Sequence, residues 1–428
     1  MTGMHQAPRR ALWFILSILS ASSMWYYVAN VWSVGQPAQF SDLYARWWGA
    51  HELLLHHRDP YSPAVTREIQ IFIYGAPVAT LHPGDRAELA GGFAYPIYVA
   101  FLMWPTLHLG FPAVQVLFRC LFVTLTLASL WLWIYALRWR LPAAELGMLA
   151  VFTFGSFPVL QGLKLQNLSL LVAFVVAATV ASLSTNYYGT GGFLLAVSTI
   201  KPQFVILLIP WLALWVMGDW RGRQRLVWSF AAGMSVLILG AEILAPGWIG
   251  RFLAIVQAYR RYTYGHSLLD VWFTPRIGFV VSIILVLAVL ALCWRCRSDP
   301  AHSSRFFLAS SLVLAATLVV IPTLEPHAQL LLLPGFLFLL QYGGRIWTLS
   351  KTSRLLLTGA WILLGWAWAA CFGMMLAATW LTGNTLLRFW AVPLYTSPLL
   401  PFGVLVILGF LLATETEFIR GRGMILEP

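Results

Sequence analysis

An acidic residue stands at the start of the longest hydrophilic stretch of an otherwise apolar chain. Asp42 lies in the segment Phe-Ser-Asp-Leu-Tyr-Ala-Arg-Trp-Trp of residues 40–48, shortly after an apolar segment at 11–34. A carboxylate held just outside a membrane, beside aromatic side chains, is suited to take a proton from a hydroxyl group. Asp42 is therefore a candidate general base. It could instead, or in addition, cap the helix that follows or pair with Arg46, four residues on.

Further polar side chains fall at the ends of later apolar runs, where we expect them to reach the same face. They are Lys164, Gln166, Asn167, Lys201, Gln203, His266, Glu325 and His327. Ionisable groups beside membrane spans are energetically expensive, so they indicate function by default. Amines, imidazoles and amides could stabilise a negatively charged leaving group, with Glu325 as the partner of one of the cations.

Most of these residues also have a structural interpretation. Lys201 precedes a proline and could mark a helix break, with its side chain reaching towards the interface. Gln166 and Asn167 could cap the next helix. His266 could lie in an exposed loop. Arg260-Arg261 could bind phosphate or anchor lipid head groups.

The composition indicates a membrane protein. Of 428 residues, 60% are hydrophobic and 10% charged, and the mean hydropathy is +0.78. Soluble domains are nearer a quarter charged. Only helices or closed barrels can span a bilayer, and the apolar runs have the length of helices. The sequence therefore predicts an all-α polytopic membrane protein with about twelve transmembrane helices.

The formal net charge of +12 could suggest nucleic acid, but the arginines cluster between apolar runs, as in cytoplasmic loops. We expect membrane lipids and no nucleic acid as partners. The run 94–109 contains two prolines, so we expect a surface or re-entrant helix there. Both termini are then cytoplasmic. The predicted parts of this single domain, 1–428, are the first transmembrane helix 11–34, an outer loop 35–112, a core bundle 113–342, and C-terminal helices with a tail 343–428.

Cysteine spacing gives one weak signal for a metal or redox site. Cys293 and Cys296 have the required separation, but no second pair or histidine is near them in sequence. We therefore expect no metal site and no cofactor.

The order of short motifs along the chain resembles family 87 of the GT-C glycosyltransferases. The matching residues are Asp42, Asp59-Pro60-Tyr61, Tyr95-Pro96, Gln166 with Asn167 and Ser169, Lys201-Pro202, and Pro326-His327. Each motif is weak alone, but their order over most of residues 40–335 is more specific.

The resemblance implies a GT-C bundle of the cell inner (plasma) membrane, with a large first outer loop containing surface helices. It implies transfer of a sugar, most often mannose, from a polyprenyl-phosphate donor to a glycolipid or glycan hydroxyl at the outer face. Asp42 would be the base of an inverting reaction. Cationic side chains would stabilise the leaving phosphate, with Arg46 a further candidate.

Two other classes stay open. A lipid-linked sugar flippase or another transporter would use the same polar groups without a base, and would need them at mid-span depth. A scaffold without catalytic activity would tolerate the loss of Asp42.

Overall fold

The computed structural model describes residues 6–31, 40–77, 91–262, 265–322, 325–381, 385, 388–389 and 391–414. Within these ranges the chain is helical and has no β-strand, which confirms the predicted all-α class. Parts of the predicted outer loop (32–39 and 78–90) and the tail from 415 lie outside the described residues, as do the side chains of Arg260-Arg261.

The N-terminal part forms one long helix followed by a layer of short ones. Its helices are α1 (Gln6–Tyr26, extended by a π-helix at Tyr27–Val31), α2 (Asp42–His56), α3 (Pro63–Tyr74) and α4 (Val99–Met103, followed by a 3-10 turn, Trp104–Thr106). We call α2, α3 and α4 the outer layer.

The middle of the chain contains α5 (Phe111–Ala136), α6 (Ala143–Phe154), α7 (Phe157–Leu165), α8 (Ser169–Ser184), α9 (Tyr188–Ser198), α10 (Pro202–Val205), α11 (Leu208–Met217) and α12 (Trp220–Leu244). The remainder contains α13 (Trp248–Tyr262), α14 (Leu268–Trp272), α15 (Pro275–Trp294), α16 (Ser304–Val320), a 3-10 helix (Pro326–Leu332), α17 (Leu333–Leu349), α18 (Lys351–Trp380), α19 (Val392–Thr396) and α20 (Leu399–Ala413).

Seven helical segments of the described chain are long and apolar enough to cross a membrane, and the pair α6 and α7, bent by 56°, could form an eighth span. The protein is thus a polytopic helical membrane protein. The predicted number of about twelve also included α8, α9, α16 and the segment Pro202–Met217. These helices have at most 17 residues, fewer than the roughly 20 that a bilayer core requires. The number twelve therefore stays a prediction.

Several predicted loops turn out to be helical. Arg221, Arg223 and Arg225 lie within the first turns of α12, because Asp219 caps that helix by accepting the Gly222 N–H. The segment 246–275, between α12 and α15, contains α13 and α14. The length of the apolar runs therefore does not show where α12 begins, and it does not reveal α13 and α14.

Hydrogen bonds from buried aromatic side chains hold the outer layer together and attach it to the bundle. The Trp47 indole of α2 donates to the carbonyl of Thr106 at 3.3 Å. The Tyr98 hydroxyl donates to the carbonyl of Thr199, at the end of α9, at 2.9 Å. With α4 only five residues long, the segment 94–109 contains no spanning helix. These contacts connect α2 to the turn after α4, and the start of α4 to the end of α9.

The segment Pro202–Met217 separates two different polar regions. Lys201 immediately precedes it. Beyond its other end, Arg223 is buried and donates to the carbonyls of Trp215, Arg297 and Asp299 at 2.6, 2.7 and 3.0 Å. Its guanidinium also lies 3.9 Å from the centre of the Trp215 ring. The arginine-rich end of the bundle is therefore opposite the end that contains Lys201.

Close packing of α9 against α12 gives a test of the bundle. A Cβ added at Gly192 would collide with the carbonyl oxygen of Leu226, whereas one added at Gly189 meets nothing within 4 Å. We expect Gly192→Ala to destabilise the protein by about 1–3 kcal/mol, because the helices would have to separate. Thermal unfolding in detergent should show a lower Tm for this variant and an unchanged one for Gly189→Ala. Equal Tm values would contradict the packing of α9 on α12.

Candidate functional site

Asp42 is the first residue of α2. The cap is Ser41, whose hydroxyl accepts the Leu43 N–H, so Asp42 does not take the capping role considered from sequence. Arg46 lies one turn on; it donates to the Asp42 carbonyl, and its guanidinium is 3.8 Å from Asp42 Oδ1. The expected i,i+4 pair is therefore present. The Asp42 side chain is 20% exposed, so a ligand can reach it.

Asn167 connects Asp42 to the interior. Its Nδ2 donates to Asp42 Oδ2 at 2.5 Å. Its Oδ1 accepts from the backbone N–H of Ser169 at 2.9 Å and from the Ser169 hydroxyl at 2.6 Å. Because Oδ1 is held by donors, the amide must present its NH₂ group to Asp42. Asn167 therefore caps the start of α8 and orients the carboxylate at the same time.

Lys201 is buried in the break between α9 and α10, with 2% of its side chain exposed. Its Nζ donates to Asn167 Oδ1 at 3.1 Å, Ser169 Oγ at 2.8 Å and Glu325 Oε2 at 2.8 Å. An ammonium has three N–H groups, and all three are used. Burial alone would lower the pKa of Lys201, but Glu325 outweighs it and the pKa is raised. The Lys201 side chain therefore points into the protein and not towards solvent.

Glu325 and His327 continue the network from the other side. Glu325 Oε2 lies 2.9 Å from His327 Nε2 as well as close to Lys201. Burial would raise the pKa of Glu325, but Lys201 and His327 hold its pKa well below the usual range. Gln161 Oε1 accepts the His327 backbone N–H at 3.0 Å and faces Nδ1 at 3.3 Å. Both ring nitrogens thus face oxygen atoms.

We call Asp42, Asn167, Lys201, Glu325 and His327 the polar network. It runs through direct hydrogen bonds from the first residue of α2 to the 3-10 helix before α17. Two carboxylates, an amide, an ammonium and an imidazole therefore share one connected region. This is the arrangement that a single substrate-binding site requires.

Tyr95 adds a polar group beside the network. The Arg46 guanidinium lies 4.4 Å from the centre of the Tyr95 ring. The residue is 5% exposed. Its buried hydroxyl has no hydrogen-bond partner within the described residues. Burying an unsatisfied hydroxyl costs about 1–3 kcal/mol, so the position favours a ligand that would accept or donate there.

Gln166 lies beside the network but faces another set of partners. The residue ends α7 with a left-handed backbone, at φ 55°. Its Oε1 accepts from the Ser41 hydroxyl at 2.6 Å and from Gln115 Nε2 at 3.2 Å. Gln166 therefore helps to position the cap of α2, one residue before Asp42.

Three predicted site residues are not joined to the network. Lys164 and His266 are exposed and Gln203 is partly buried. No hydrogen bond or ion pair connects any of them to Asp42, Lys201 or His327 in the part of the chain that the structure describes. Asp59, the first residue of the Asp-Pro-Tyr motif, accepts the Tyr61 N–H at 3.0 Å and contacts Arg251 at 3.5 Å.

The sequence analysis missed Gln161 and Tyr95 as site residues and treated Ser169 only as part of a motif. Gln161 could have been identified as a polar residue at the end of an apolar run. Tyr95 could have been identified from the Tyr-Pro motif to which it belongs. A serine two residues after Asn167 is the ordinary signature of a helix start, so its contact with Lys201 could not be read from spacing.

A family model described as glycosyltransferase family 87 matches residues 93–322, more than half of the chain. The chain belongs to glycosyltransferase family 87. It is therefore a membrane glycosyltransferase and uses a sugar donor and an acceptor. No curated protein and no solved structure matches it. Within this glycosyltransferase, the matched part includes Asn167 and Lys201, whereas Asp42, Glu325 and His327 lie outside it.

The buried ammonium of this glycosyltransferase gives a test of the network. Lys201→Met removes the central cation and leaves Glu325 with His327 as its remaining partner. We expect a loss of about 3 kcal/mol in stability, because breaking a buried ion pair leaves a poorly compensated charge. Chemical denaturation should detect this loss. Lys164→Met makes the same substitution at an exposed lysine and should have no measurable effect. If both variants unfold alike, Lys201 does not organise the site.

Proposed function

We propose that this glycosyltransferase transfers a sugar, mannose in the first instance, from polyprenyl phosphate to a hydroxyl acceptor, with Asp42 as the general base. The observation that supports the proposal most directly is the polar network, in which one partly exposed carboxylate is connected to buried cations. A base beside the acceptor and cations beside the phosphate are the two requirements of this reaction.

Asp42 has the geometry that proton removal needs. Oδ2 is engaged by Asn167, while Oδ1 lies 3.8 Å from Arg46, beyond hydrogen-bond distance. Oδ1 is therefore the oxygen that would accept the proton of the acceptor hydroxyl. The hydrogen bond from Asn167 keeps the carboxylate in one orientation during this step.

The leaving phosphate would meet cations other than Lys201. Because all three N–H groups of Lys201 are used internally, the lysine acts by orienting Asn167 and by adding positive charge. Arg46 and His327 are then the better candidates for direct phosphate contact. The permanent positive charges of Arg46 and Lys201 favour an anionic leaving group beside them.

A single displacement would invert the sugar. Retention through a covalent intermediate requires a second carboxylate as nucleophile. The other acid of the network is Glu325, and its Oε2 is engaged by both Lys201 and His327. We therefore assign Asp42 as the base for the acceptor hydroxyl, and Glu325 as the carboxylate that pairs with Lys201 and His327.

The arginine-rich end of the bundle supports an orientation with the network on the outer face. Cytoplasmic loops carry an excess of arginine and lysine, and the network lies at the opposite end of Pro202–Met217. We assign both termini to the cytoplasm and the site to the outer side of the inner membrane. A lipid-linked donor and a glycolipid or glycan acceptor would both be accessible there.

Asp42→Asn tests the base. In reconstituted protein given polyprenyl-phosphate mannose and a membrane extract as acceptor, we expect the rate of transfer to fall at least about 100-fold, because the amide cannot take a proton. Donor binding should be retained. The control, Asp59→Asn, removes an acid from the same outer segment while its Oδ1 can still accept the Tyr61 N–H, and should transfer normally.

Equal transfer by Asp42→Asn and wild type would exclude Asp42 as base. Movement of a labelled lipid-linked sugar across the bilayer by both proteins, without transfer, would support the flippase alternative instead.

Tyr95→Phe tests for a ligand at the unsatisfied phenol. Removing the hydroxyl gives up no hydrogen bond within the described protein, so the Tm should be unchanged or slightly higher. Donor affinity or turnover should fall about 10-fold if the hydroxyl contacts the bound donor. Tyr61→Phe is the matched control: its hydroxyl donates to the Tyr95 carbonyl at 2.7 Å, so that variant should lose stability. Normal transfer by Tyr95→Phe would remove the phenol from the site.

A further inference from the structure

A second cluster of titratable side chains lies on α2, away from the polar network. His51, Glu52 and His56 each offer one donor atom, and these atoms lie within 4.8 Å of one another. Glu52 is ten positions after Asp42, about 15 Å along a helix that rises 1.5 Å per residue. The cluster is therefore separate from the proposed site of sugar transfer, and none of its members has a role there.

Two imidazole rings are directed at one carboxylate oxygen. Nδ1 of His51 lies 3.2 Å from Glu52 Oε1, and Nδ1 of His56 lies 3.1 Å from the same atom. Zinc bonds of about 2.0–2.1 Å at tetrahedral angles place neighbouring donor atoms about 3.3 Å apart. Two of the three edges in this cluster already have that length, so an ion could bind with only small movements of the side chains.

The second oxygen of Glu52 is held by Arg58. Arg58 Nη1 donates to Glu52 Oε2 at 2.5 Å, while Nη2 donates to Glu68 Oε1 at 2.6 Å. The Trp48 indole donates to Glu68 Oε2 at 3.0 Å. These bonds fix the carboxylate so that Oε1 alone faces the histidines. Metal ligands are commonly oriented by partners of this kind.

The charges in and around this cluster favour binding of a cation. Glu52 and Glu68 carry two negative charges and Arg58 one positive charge, so the cluster is anionic when the histidines are neutral. The Glu52 side chain is only 3% exposed, and its charge is poorly screened by water. The His56 side chain is 53% exposed, which gives an ion a path from solvent and leaves space for a water ligand.

We propose that His51, Glu52 and His56 bind one zinc ion that stabilises the outer layer. Neutral imidazole and carboxylate are ordinary zinc ligands, and three protein ligands with water complete a tetrahedron. The ion would stabilise the second half of α2 and, through the contacts of Arg58 with Glu68, the position of α3. This proposal departs from the sequence-based expectation of no metal. That expectation overlooked His-Glu followed by histidine four residues after the glutamate, which places the donors on neighbouring turns of a helix.

The experiment uses the full chain in detergent or nanodiscs, with any affinity tag removed. The protein is stripped with a chelator, supplied with zinc, and analysed for bound metal and for affinity by competition with a chromophoric chelator. We expect one zinc per chain in the wild type. His56→Gln should weaken binding at least about 100-fold, since loss of an outer partner alone costs 10–100-fold. Zinc should raise the Tm of the wild type by at least about 2 °C.

His57→Asn is the matched control. His57 is the next residue, is exposed, and has a left-handed backbone at φ 53°, which asparagine tolerates. It should bind zinc as the wild type does. Asp42→Asn should also keep the ion, which separates this proposal from that for sugar transfer.

Two results would overturn the proposal: no retained zinc in the wild type, or equal zinc affinity in the wild type and His56→Gln. In the absence of zinc, His56→Gln should melt within about 1 °C of the stripped wild type. If His56→Gln melts at a clearly different temperature, His51→Gln is measured instead. Equal zinc affinity in His51→Gln and the wild type would then overturn the proposal.

Discussion

The buried ammonium of Lys201 is the constraint on which the site depends. A charge with 2% exposure must be neutralised and given three acceptors, and these come from two other segments of the chain. Asn167 and Ser169 belong to the start of α8, and Glu325 precedes the 3-10 helix. Satisfying one cation therefore brings three chain segments together. The orientation of Asp42 follows, because Asn167 can present its NH₂ group outward only while its oxygen faces Lys201.

In this arrangement, organising the site and binding the substrate phosphate are roles of different cationic side chains, which a sequence pattern does not distinguish. A lysine in a membrane enzyme is readily assigned to the substrate phosphate, but a fully engaged ammonium has no N–H group left for it. Lys201 instead supplies rigidity and a fixed positive potential. In the proposed reaction, contact with the substrate would fall to Arg46 on α2 and His327 on the 3-10 helix. Preorganised dipoles and charges of this kind stabilise developing charge without having to reorganise during the reaction.

Some predicted site residues join the network and others do not. Sequence reasoning identified Asp42, Asn167, Lys201, Glu325 and His327 because charged or amide side chains stood at the ends of apolar runs. It also selected Lys164 and Gln203, two positions from Gln166 and Lys201. Lys164 lies in the last turn of α7 and is exposed, and Gln203 lies in α10 and is partly buried, so closeness in sequence did not bring either side chain into the network. The helical class followed from composition. The number of spans did not, because helices of 11–17 residues packed inside the bundle are as apolar as spanning ones.

The family match and the site do not coincide, and the difference shows how the enzyme is assembled. Residues 93–322 provide Asn167 and Lys201, the middle of the network, whereas the proposed base comes from α2, before the matched part. Asp42 can serve only if α2 is held at a fixed distance from the bundle. Its first turn is held by Asn167 and by the bond of Ser41 to Gln166. Its last turns are held through Glu52, whose carboxylate accepts a hydrogen bond from Arg58 and lies close to two histidines. An ion in that second cluster would stabilise the helix that presents the base without taking part in the reaction.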